Sequence, residues 1–210
     1  MVMENPWLNI PAADYEAHMS SPNVDQRAFL GRTFKEALEK HDCGKVALLG
    51  CATGNGLEYI NSEATEKVTA IDINPEYLEI VRQRYEKTVS GLALIEADLQ
   101  ICKLEKQAYS LIYAGLIFEY LSPRKVLPGI ADGLHRNGVM VAVLQLHSKG
   151  QKQITDTPYA NLKKLESIMQ LVSPQDFWAM AHDAGLHELE AETVTLESGK
   201  PFYIGTFAKR

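Results

Sequence analysis

A glycine-rich turn, GCATGNG at residues 50–56, follows a short apolar run at 45–50. Such a turn between a strand and a helix lets the backbone approach a ligand closely, and the helix N-terminus offers free N–H donors. A dinucleotide fingerprint anchored on Gly50 needs glycines where Ala52 and Asn55 stand, and a P-loop needs lysine where leucine follows the last glycine. We therefore expect a ligand less anionic than a pyrophosphate.

Two carboxylates end the next two apolar runs. Asp72 closes KVTAID, and an acid at that place can accept hydrogen bonds from both hydroxyls of a ribose. It can also simply cap the following helix, although Asn74 before a proline already supplies that chemistry. Asp98 closes LALIEAD, where its carboxylate, with backbone groups of Ala97 and Leu99, can bind an adenine ring and its exocyclic amine. Together the strand ends predict a nucleoside site.

The elements that position these residues alternate between apolar runs and amphipathic stretches. Parallel strands need crossover helices, so this order predicts a doubly wound α/β sheet. A capping box of Asn23 and Gln26 is expected to open the first helix, and Gly138 to stop the fourth. We predict strands at 45–50, 67–72, 92–98, 109–115 and 139–146, helices at 23–40, from about Asn55, at 75–87 and at 124–136, and a C-terminal antiparallel hairpin of 186–196 and 201–209.

The length of 210 residues suits one domain, which we place at 23–210 after an N-terminal segment at 1–22. The net charge of −6 disfavours nucleic acid as a partner, because such binding depends on cationic contacts with phosphate. Three scattered cysteines indicate neither a disulfide framework nor a metal site. The first residues do not read as a secretory signal, and no apolar run reaches the roughly 18 residues of a membrane helix. A cytoplasmic protein without a membrane partner is expected; the oligomeric state is not readable.

The chain resembles the class I S-adenosylmethionine-dependent methyltransferases over about residues 45–146. VALLGCATGNGLEYI is similar to the first motif of the family, VTAIDINPEYLEIV to the second, IEADL to the third, and YSLIYAGLIFEYL to the segment along the fourth strand. The resemblance implies a Rossmann-like, mostly parallel sheet of seven strands with an antiparallel C-terminal hairpin. It also implies that S-adenosylmethionine is bound across the strand ends.

Position by position, the resemblance implies roles for single residues. The glycine turn would line the methionine part, Asp72 would hold the ribose, and Ile73 would pack on adenine. Asp98 would bind the adenine amine, and the end of the fourth strand would lie near the sulfonium. The cofactor-binding residues implied are Gly50, Cys51, Ala52, Gly54, Asp72, Ile73, Ala97, Asp98, Leu99, Ala114 and Gly115.

Three positions depart from the family pattern. Leu48 stands where an acid is common, Ala52 replaces the middle glycine, and Ser110 replaces a common aspartate. The missing acid commonly helps to order the loop and to bind the amino group of the cofactor. Because of these departures, a second interpretation remains open, in which the chain is a relative that binds the cofactor without catalysing methyl transfer.

Methyl transfer mainly requires that the nucleophile be positioned, and a base is needed only for a protonated acceptor. The loops after strands four and five and the N-terminal segment, which often forms a lid in this family, supply the candidates. Glu119 and His147 are candidate proton acceptors, while Tyr15, His18, Met19 and Tyr120 are candidate substrate contacts. Phe118, Trp7 and Tyr159 are candidate aromatic walls.

The fourth strand is followed by AGLIFEY rather than an NPPY-like tetrapeptide, which makes a DNA adenine or glutamine acceptor less expected. The favoured function is a methyltransferase for a small-molecule acceptor. The alternative is a non-catalytic protein that binds S-adenosylmethionine or S-adenosylhomocysteine. An NAD-linked oxidoreductase on a related fold is disfavoured by the glycine spacing.

Overall fold

The computed structural model describes residues 5–148 and 150–209, which form one mixed sheet with helices on both faces. The sheet order is β3-β2-β1-β4-β5-β7-β6, and β7 alone runs antiparallel to its neighbours β5 and β6. This confirms the predicted Rossmann-like sheet and its hairpin. The strands are β1 (Lys45–Leu49), β2 (Lys67–Asp72), β3 (Leu92–Glu96), β4 (Tyr109–Gly115), β5 (Leu134–Gln145), β6 (Leu186–Thr195) and β7 (Pro201–Lys209).

The helices of the described residues are α1 (Ala12–Met19), α2 (Gln26–Lys40), α3 (Pro75–Tyr85), α4 (Pro123–Gly133) and α5 (Pro174–Asp183), with 3₁₀ turns at Pro6–Asn9, Leu57–Tyr59 and Ala160–Ser167. Three of the four predicted helices are present as α2, α3 and α4, the one expected near Asn55 is absent, and α1 and α5 were not predicted. Helix α3 begins as predicted, because the Asn74 side chain accepts hydrogen bonds from Glu76 N and Tyr77 N. No helix of the described residues has the length and apolar character needed to cross a membrane.

Successive side chains of the central strands point to opposite faces of the sheet and pack in two apolar layers. Val46 and Leu48 of β1 pack in the layer covered by α2 and α3, whereas Ala47 and Leu49 pack in the layer covered by α4 and α5. A strand buried on both faces reads as a continuous apolar run, which is why β1 was recognisable in the sequence. This double cover fixes the sheet and presents its strand ends along one edge.

Two predictions about helices are wrong. No α-helix follows the glycine turn near Asn55, where a 3₁₀ turn at Leu57–Tyr59 stands instead. Gly54 and Gly56 adopt left-handed conformations in the segment between β1 and β2, and these interrupt an α-helix there. Helix α4 ends at Gly133 rather than at Gly138, and β5 begins at once with an irregular register against β4.

The predicted capping box is also absent. Asn23 donates a hydrogen bond to Asp156 O at 3.3 Å, and the cap position of α2 is Asp25 in a left-handed conformation. Gln26 points into the protein, where its Nε2 lies 3.5 Å from Gln145 Oε1. A residue pattern that suits a cap has here been used for a tertiary contact.

Candidate functional site

The carboxyl ends of β1, β2, β3 and β4 open into a cavity that we call the strand-end crevice. It encloses about 830 Å³ between protein atoms, part of it open to solvent. Open parallel sheets bind ligands at this edge, where the strand order reverses between β1 and β4. The crevice is lined by Asn5, Trp7, Tyr15, Met19, Gln26, Leu30, Gly50, Ala52, Asp72, Ile73, Tyr77, Ala97, Asp98, Leu99, Gly115, Leu116, Ile117, Tyr120 and Leu121.

Asp72 ties the crevice together at the end of β2. Its carboxylate accepts hydrogen bonds from Ala52 N at 2.8 Å and from Asn74 N at 2.9 Å. Burial raises the pKa of Asp72 to about 6, and the backbone donors oppose that rise. The carboxylate therefore holds the glycine turn against β2 while facing the cavity.

The glycine turn needs its unusual backbone. Gly50 has a φ of +65°, and a Cβ there would stand 2.4 Å from Ile117 Cγ2, so only glycine fits. Ala52 also adopts a left-handed φ, of 45°, although it carries a Cβ. The turn thus keeps the conformation of a glycine at position 52, at the cost of local strain.

The other two departures from the family pattern lie away from the crevice. Leu48 is buried among the apolar side chains of the first layer. Ser110 Oγ accepts from Lys45 N at 3.0 Å and lies 3.1 Å from Lys45 O, to which it donates. Ser110 therefore fastens the start of β1 to β4, in place of any role toward a ligand.

An aromatic group closes the crevice from the N-terminal side. The Trp7 ring stands edge-on to Tyr120, with 5.0 Å between centroids, and Tyr15 packs on Tyr77 at 5.5 Å. The main chain of Trp7 is fixed, because Asn74 Nδ2 donates to Trp7 O at 2.9 Å. The 3₁₀ turn and α1 thus lie over the strand ends, and we call these two elements the lid. Residues 1–4 of the predicted N-terminal segment at 1–22 lie outside the described residues.

A charged latch holds α1 on the glycine turn. Glu16 accepts hydrogen bonds from Thr53 Oγ1 at 2.6 Å and from both terminal nitrogens of Arg84, and Arg27 stands 3.7 Å away. The hydrogen bond from Arg84 is the main reason that the pKa of Glu16 falls to about 2. The latch joins the lid to helix α3.

A smaller cavity adjoins the crevice, and we call it the side chamber. Five residues line both spaces, namely Trp7, Tyr15, Met19, Gln26 and Tyr120. The remaining walls of the chamber are His18, Gln145, Gln153, Ile154, Leu162, Leu165, Met169 and Lys200. The two spaces therefore meet beneath the lid.

His18 is an uncharged wall of the side chamber. Its Nδ1 lies 2.9 Å from Thr157 Oγ1, and burial lowers the pKa of the imidazole to about 4, with a further contribution from Lys200. At neutral pH this side chain is therefore a neutral hydrogen-bonding group. It can exchange hydrogen bonds without adding charge.

The two candidate proton acceptors lie outside the crevice lining. Glu119 is buried behind β5, where its Oε1 accepts from Gln145 N at 2.6 Å and its Oε2 is buried without a partner. Burial raises the pKa of Glu119 to about 7. His147 is exposed and lines a third space, the hairpin cavity, together with Gln145 and Lys200.

Most of the predicted cofactor residues are brought together in the crevice: Gly50, Ala52, Asp72, Ile73, Ala97, Asp98, Leu99 and Gly115. Cys51, Gly54 and Ala114 are buried beside it and do not line it. Of the predicted substrate contacts, three line both the crevice and the chamber, namely Tyr15, Met19 and Tyr120. His18 lines the chamber but not the crevice. Of the aromatic candidates, Trp7 lines both spaces, whereas Phe118 is in the core and Tyr159 packs on the segment 160–169.

Sequence reasoning missed several walls of the crevice, among them Gln26, Leu30, Tyr77 and Leu116. Tyr77 carried a usable signal, because it lies in the first turn of α3, just after the Asp72 turn. Leu116 has a left-handed φ of 55° that a propensity argument does not reveal.

A family model described as a methyltransferase domain matches residues 46–138. A sequence search of curated proteins finds no match. The matched segment contains the glycine turn, Asp72 and Asp98, so the crevice is built largely within it. With the sheet described above, this match confirms the predicted resemblance to class I S-adenosylmethionine-dependent methyltransferases.

Three solved structures share the fold at low sequence identity. The N-methyltransferase NodS from Bradyrhizobium japonicum, in complex with S-adenosyl-L-homocysteine, has a TM-score of 0.74 at 15% identity, over 98% of this chain and 99% of that one. A SAM-dependent methyltransferase from Leishmania major gives 0.72 at 14%, over 96% and 80%. The [4+2]-cyclase SpnF gives 0.69 at 11%, over 94% of each chain. At these identities the likeness concerns the fold.

Proposed function

We propose that this chain, whose residues 46–138 match a family model described as a methyltransferase domain, transfers a methyl group from S-adenosylmethionine to a small-molecule acceptor. One observation carries the proposal. The strand-end crevice, with its nucleoside-type strand ends, adjoins the side chamber under one lid, so that a donor and an acceptor could occupy separate spaces with a common boundary.

The residues of the crevice fit a sulfur nucleoside. The Asp72 carboxylate suits ribose hydroxyls, Ile73 and Leu99 offer apolar contact to a base, and Asp98 suits an exocyclic amine. The Tyr77 hydroxyl is a buried polar atom without a protein partner on the crevice wall. A buried hydroxyl of this kind needs a ligand or water to donate to, which a polar ligand in the crevice would supply.

When bound, S-adenosylmethionine supplies an activated methyl group for in-line displacement. The chain then has to orient the acceptor and exclude water. Trp7, Tyr15, Met19 and Tyr120 stand at the boundary of crevice and chamber and are suited to both tasks. His18 offers the acceptor a neutral hydrogen-bonding partner.

For Glu119 we propose a positioning role. Its carboxyl group holds the backbone of Gln145, and the Gln145 side chain lines the side chamber. His147 stays a proposed proton acceptor for an acceptor molecule that extends into the hairpin cavity.

Calorimetric titration with S-adenosylmethionine and S-adenosylhomocysteine, with NADH as the control, tests the donor half of the proposal. We expect micromolar binding of both sulfur nucleosides and no binding of NADH. Binding of NADH alone would contradict the proposal and favour an oxidoreductase.

A binding-only protein is the second candidate function. Its support is the loop after β1, where a 3₁₀ turn replaces a helix, so that no α-helix N-terminus of the described residues faces the crevice from this loop. A screen of small acceptors for methyl transfer separates the two functions. Turnover of any acceptor excludes the binding-only role, and tight nucleoside binding with no turnover across the screen favours it.

A further inference from the structure

Lys200 is a buried cation at the meeting point of the side chamber and the hairpin cavity. It follows the turn between β6 and β7 and lines both spaces. Only 4% of its surface is exposed. Its Nζ donates one hydrogen bond, to Gln153 O at 2.7 Å.

An ammonium group has three N–H donors, so this contact leaves two of them for other partners. No carboxylate of residues 5–148 or 150–209 lies within ion-pairing distance of Lys200. Burial alone lowers the pKa of Lys200 to about 8, and no nearby negative charge offsets the shift. A charge kept in this state destabilises the protein unless something else pairs with it.

The other lysines of this region are placed differently. Lys152, which also lines the hairpin cavity, is exposed and pairs with Asp156 at 2.6 Å. Lys163 pairs with the same aspartate at 3.3 Å. Among the described residues that line the side chamber, Lys200 is the cationic one.

The residues that line the side chamber with Lys200 form an apolar side and a polar side. Ile154, Leu162, Leu165 and Met169 form an apolar side that packs on Ile10 of the N-terminal segment. Gln26, Gln145 and the uncharged His18 form the polar side. A molecule that fills this chamber has an apolar body and one polar end.

We propose that the methyl acceptor carries a carboxylate on an apolar body, and that Lys200 is the residue that recognises this carboxylate. The inference rests on the proposed function, since it takes the side chamber as the acceptor compartment. A single ammonium balances the single charge of a carboxylate. A phosphate monoester, which carries up to two charges at neutral pH, lacks a second cation in this chamber.

Binding of matched acids and amides tests the proposal. With the protein saturated by S-adenosylhomocysteine, phenylacetate is compared with phenylacetamide, and hexanoate with hexanamide, by calorimetry. We expect each acid to bind about tenfold or more tightly than its amide, because a charge-assisted pair in a buried site is strong. In Lys200→Met the preference is lost, and in Lys200→Arg it is retained in part.

Lys209→Met is the matched control. Lys209 lies on the same hairpin and its Nζ also donates to a backbone carbonyl, Leu134 O at 3.3 Å, but it lines none of the three cavities. This variant should keep the preference for acids. Equal affinity for acid and amide, absence of acid binding to the saturated protein, or tighter binding of phenyl phosphate than of phenylacetate would each overturn the proposal.

The unliganded protein gives a second readout that needs no probe. If Lys200 is kept for a ligand, Lys200→Met relieves a buried charge and raises Tm by about 2–4 °C. If its hydrogen bond to Gln153 is what the fold requires, the same variant lowers Tm, which contradicts the proposal. Failure of S-adenosylhomocysteine to bind the natural protein would instead reject the proposed function, so the two failures are distinguishable.

Discussion

The strand-end crevice and the side chamber are built in different ways, although they share a lid. The crevice is made of residues at and just after the ends of β1, β2, β3 and β4, which lie between residues 50 and 121, together with the lid and two residues of α2. The chamber is made of residues brought together from the 3₁₀ turn at Pro6–Asn9, α1, α2, the loop after β4, β5, the segment 153–169 and the hairpin turn. The first is fixed by the sheet; the second depends on packing between distant parts of the chain.

Because of this difference, the fold determines the shape of the crevice, whereas the residues of the chamber can vary without a change of fold. Under the proposed function, a change in the chamber should alter which acceptor fits and leave the sheet and the crevice in place. A change at a strand end alters the turn that the whole crevice depends on. Substitutions in the crevice should therefore have larger effects on nucleoside binding than substitutions in the lid.

The largest effect is expected from Asp72→Ala. The variant removes the group to which Ala52 N and Asn74 N donate, and under the proposed function it also removes the hydrogen-bond acceptor for the ribose hydroxyls. Hydrogen bonds to a charged group contribute roughly 1.5–3 kcal/mol each, so the Kd for S-adenosylhomocysteine should rise at least about 100-fold. Calorimetry measures the Kd, and circular dichroism reports whether the fold is kept. Asp72→Asn, which retains one oxygen, serves as a second variant; unchanged affinity in both would refute the ribose role.

Glu119→Gln should change the pH dependence of stability. The folded pKa of Glu119 is raised from 4.5 to about 7, so its contribution to stability is fully present below pH 4.5 and is lost as pH rises through 7. The natural protein should therefore lose on the order of 2 kcal/mol more than the variant between pH 5 and pH 8. Urea unfolding at both pH values gives the difference. Parallel losses in the two proteins would mean that Glu119 is not the group that titrates.

Glu16→Gln should loosen the lid without changing the crevice. The variant weakens the charge-assisted contacts with Arg84 and Thr53, so S-adenosylhomocysteine should dissociate about five times faster, as stopped-flow fluorescence can record. Glu79→Gln is the control, because Glu79 pairs with Arg82 on the same helix, α3, in an exposed position. If the two variants release the ligand at the same rate, the latch has no role in ligand retention.

Ala52→Gly should have the smallest effect. Glycine relieves the left-handed φ of 45° but gives the unfolded chain more freedom, so the free energy of unfolding should rise by no more than about 1 kcal/mol and the Kd should stay within about twofold. Ala97→Gly is the comparison, since Ala97 lines the same crevice without a positive φ and its loss should only destabilise. A clear loss of stability in Ala52→Gly would show that packing of the Ala52 methyl group stabilises the protein by more than the strain of its left-handed φ costs.

The crevice could be predicted from the sequence because each of its parts is local. An apolar run, a glycine turn and an acid at a strand end are readable one by one, and the sheet brings them together. The absence of a helix after β1 could not be predicted, because the residues there are compatible with a helix. The left-handed conformations of Gly54 and Gly56, which prevent one, are visible only in the structure. The chamber was readable only in part, because Lys200 and Gln145 belong to elements that meet there through tertiary packing. Gln26 was misread for the same reason.

Trp7 stands in the walls of both the crevice and the chamber. Under the proposed function, one movement of the N-terminal lid would open both spaces together, so the spent nucleoside and the methylated product would leave through a single event. Catalytic turnover would then be limited by the frequency of that event rather than by two separate departures. An acceptor-like molecule that stays in the chamber should hold the lid shut and trap the nucleoside as well, which makes the slow step of the cycle a property of the lid.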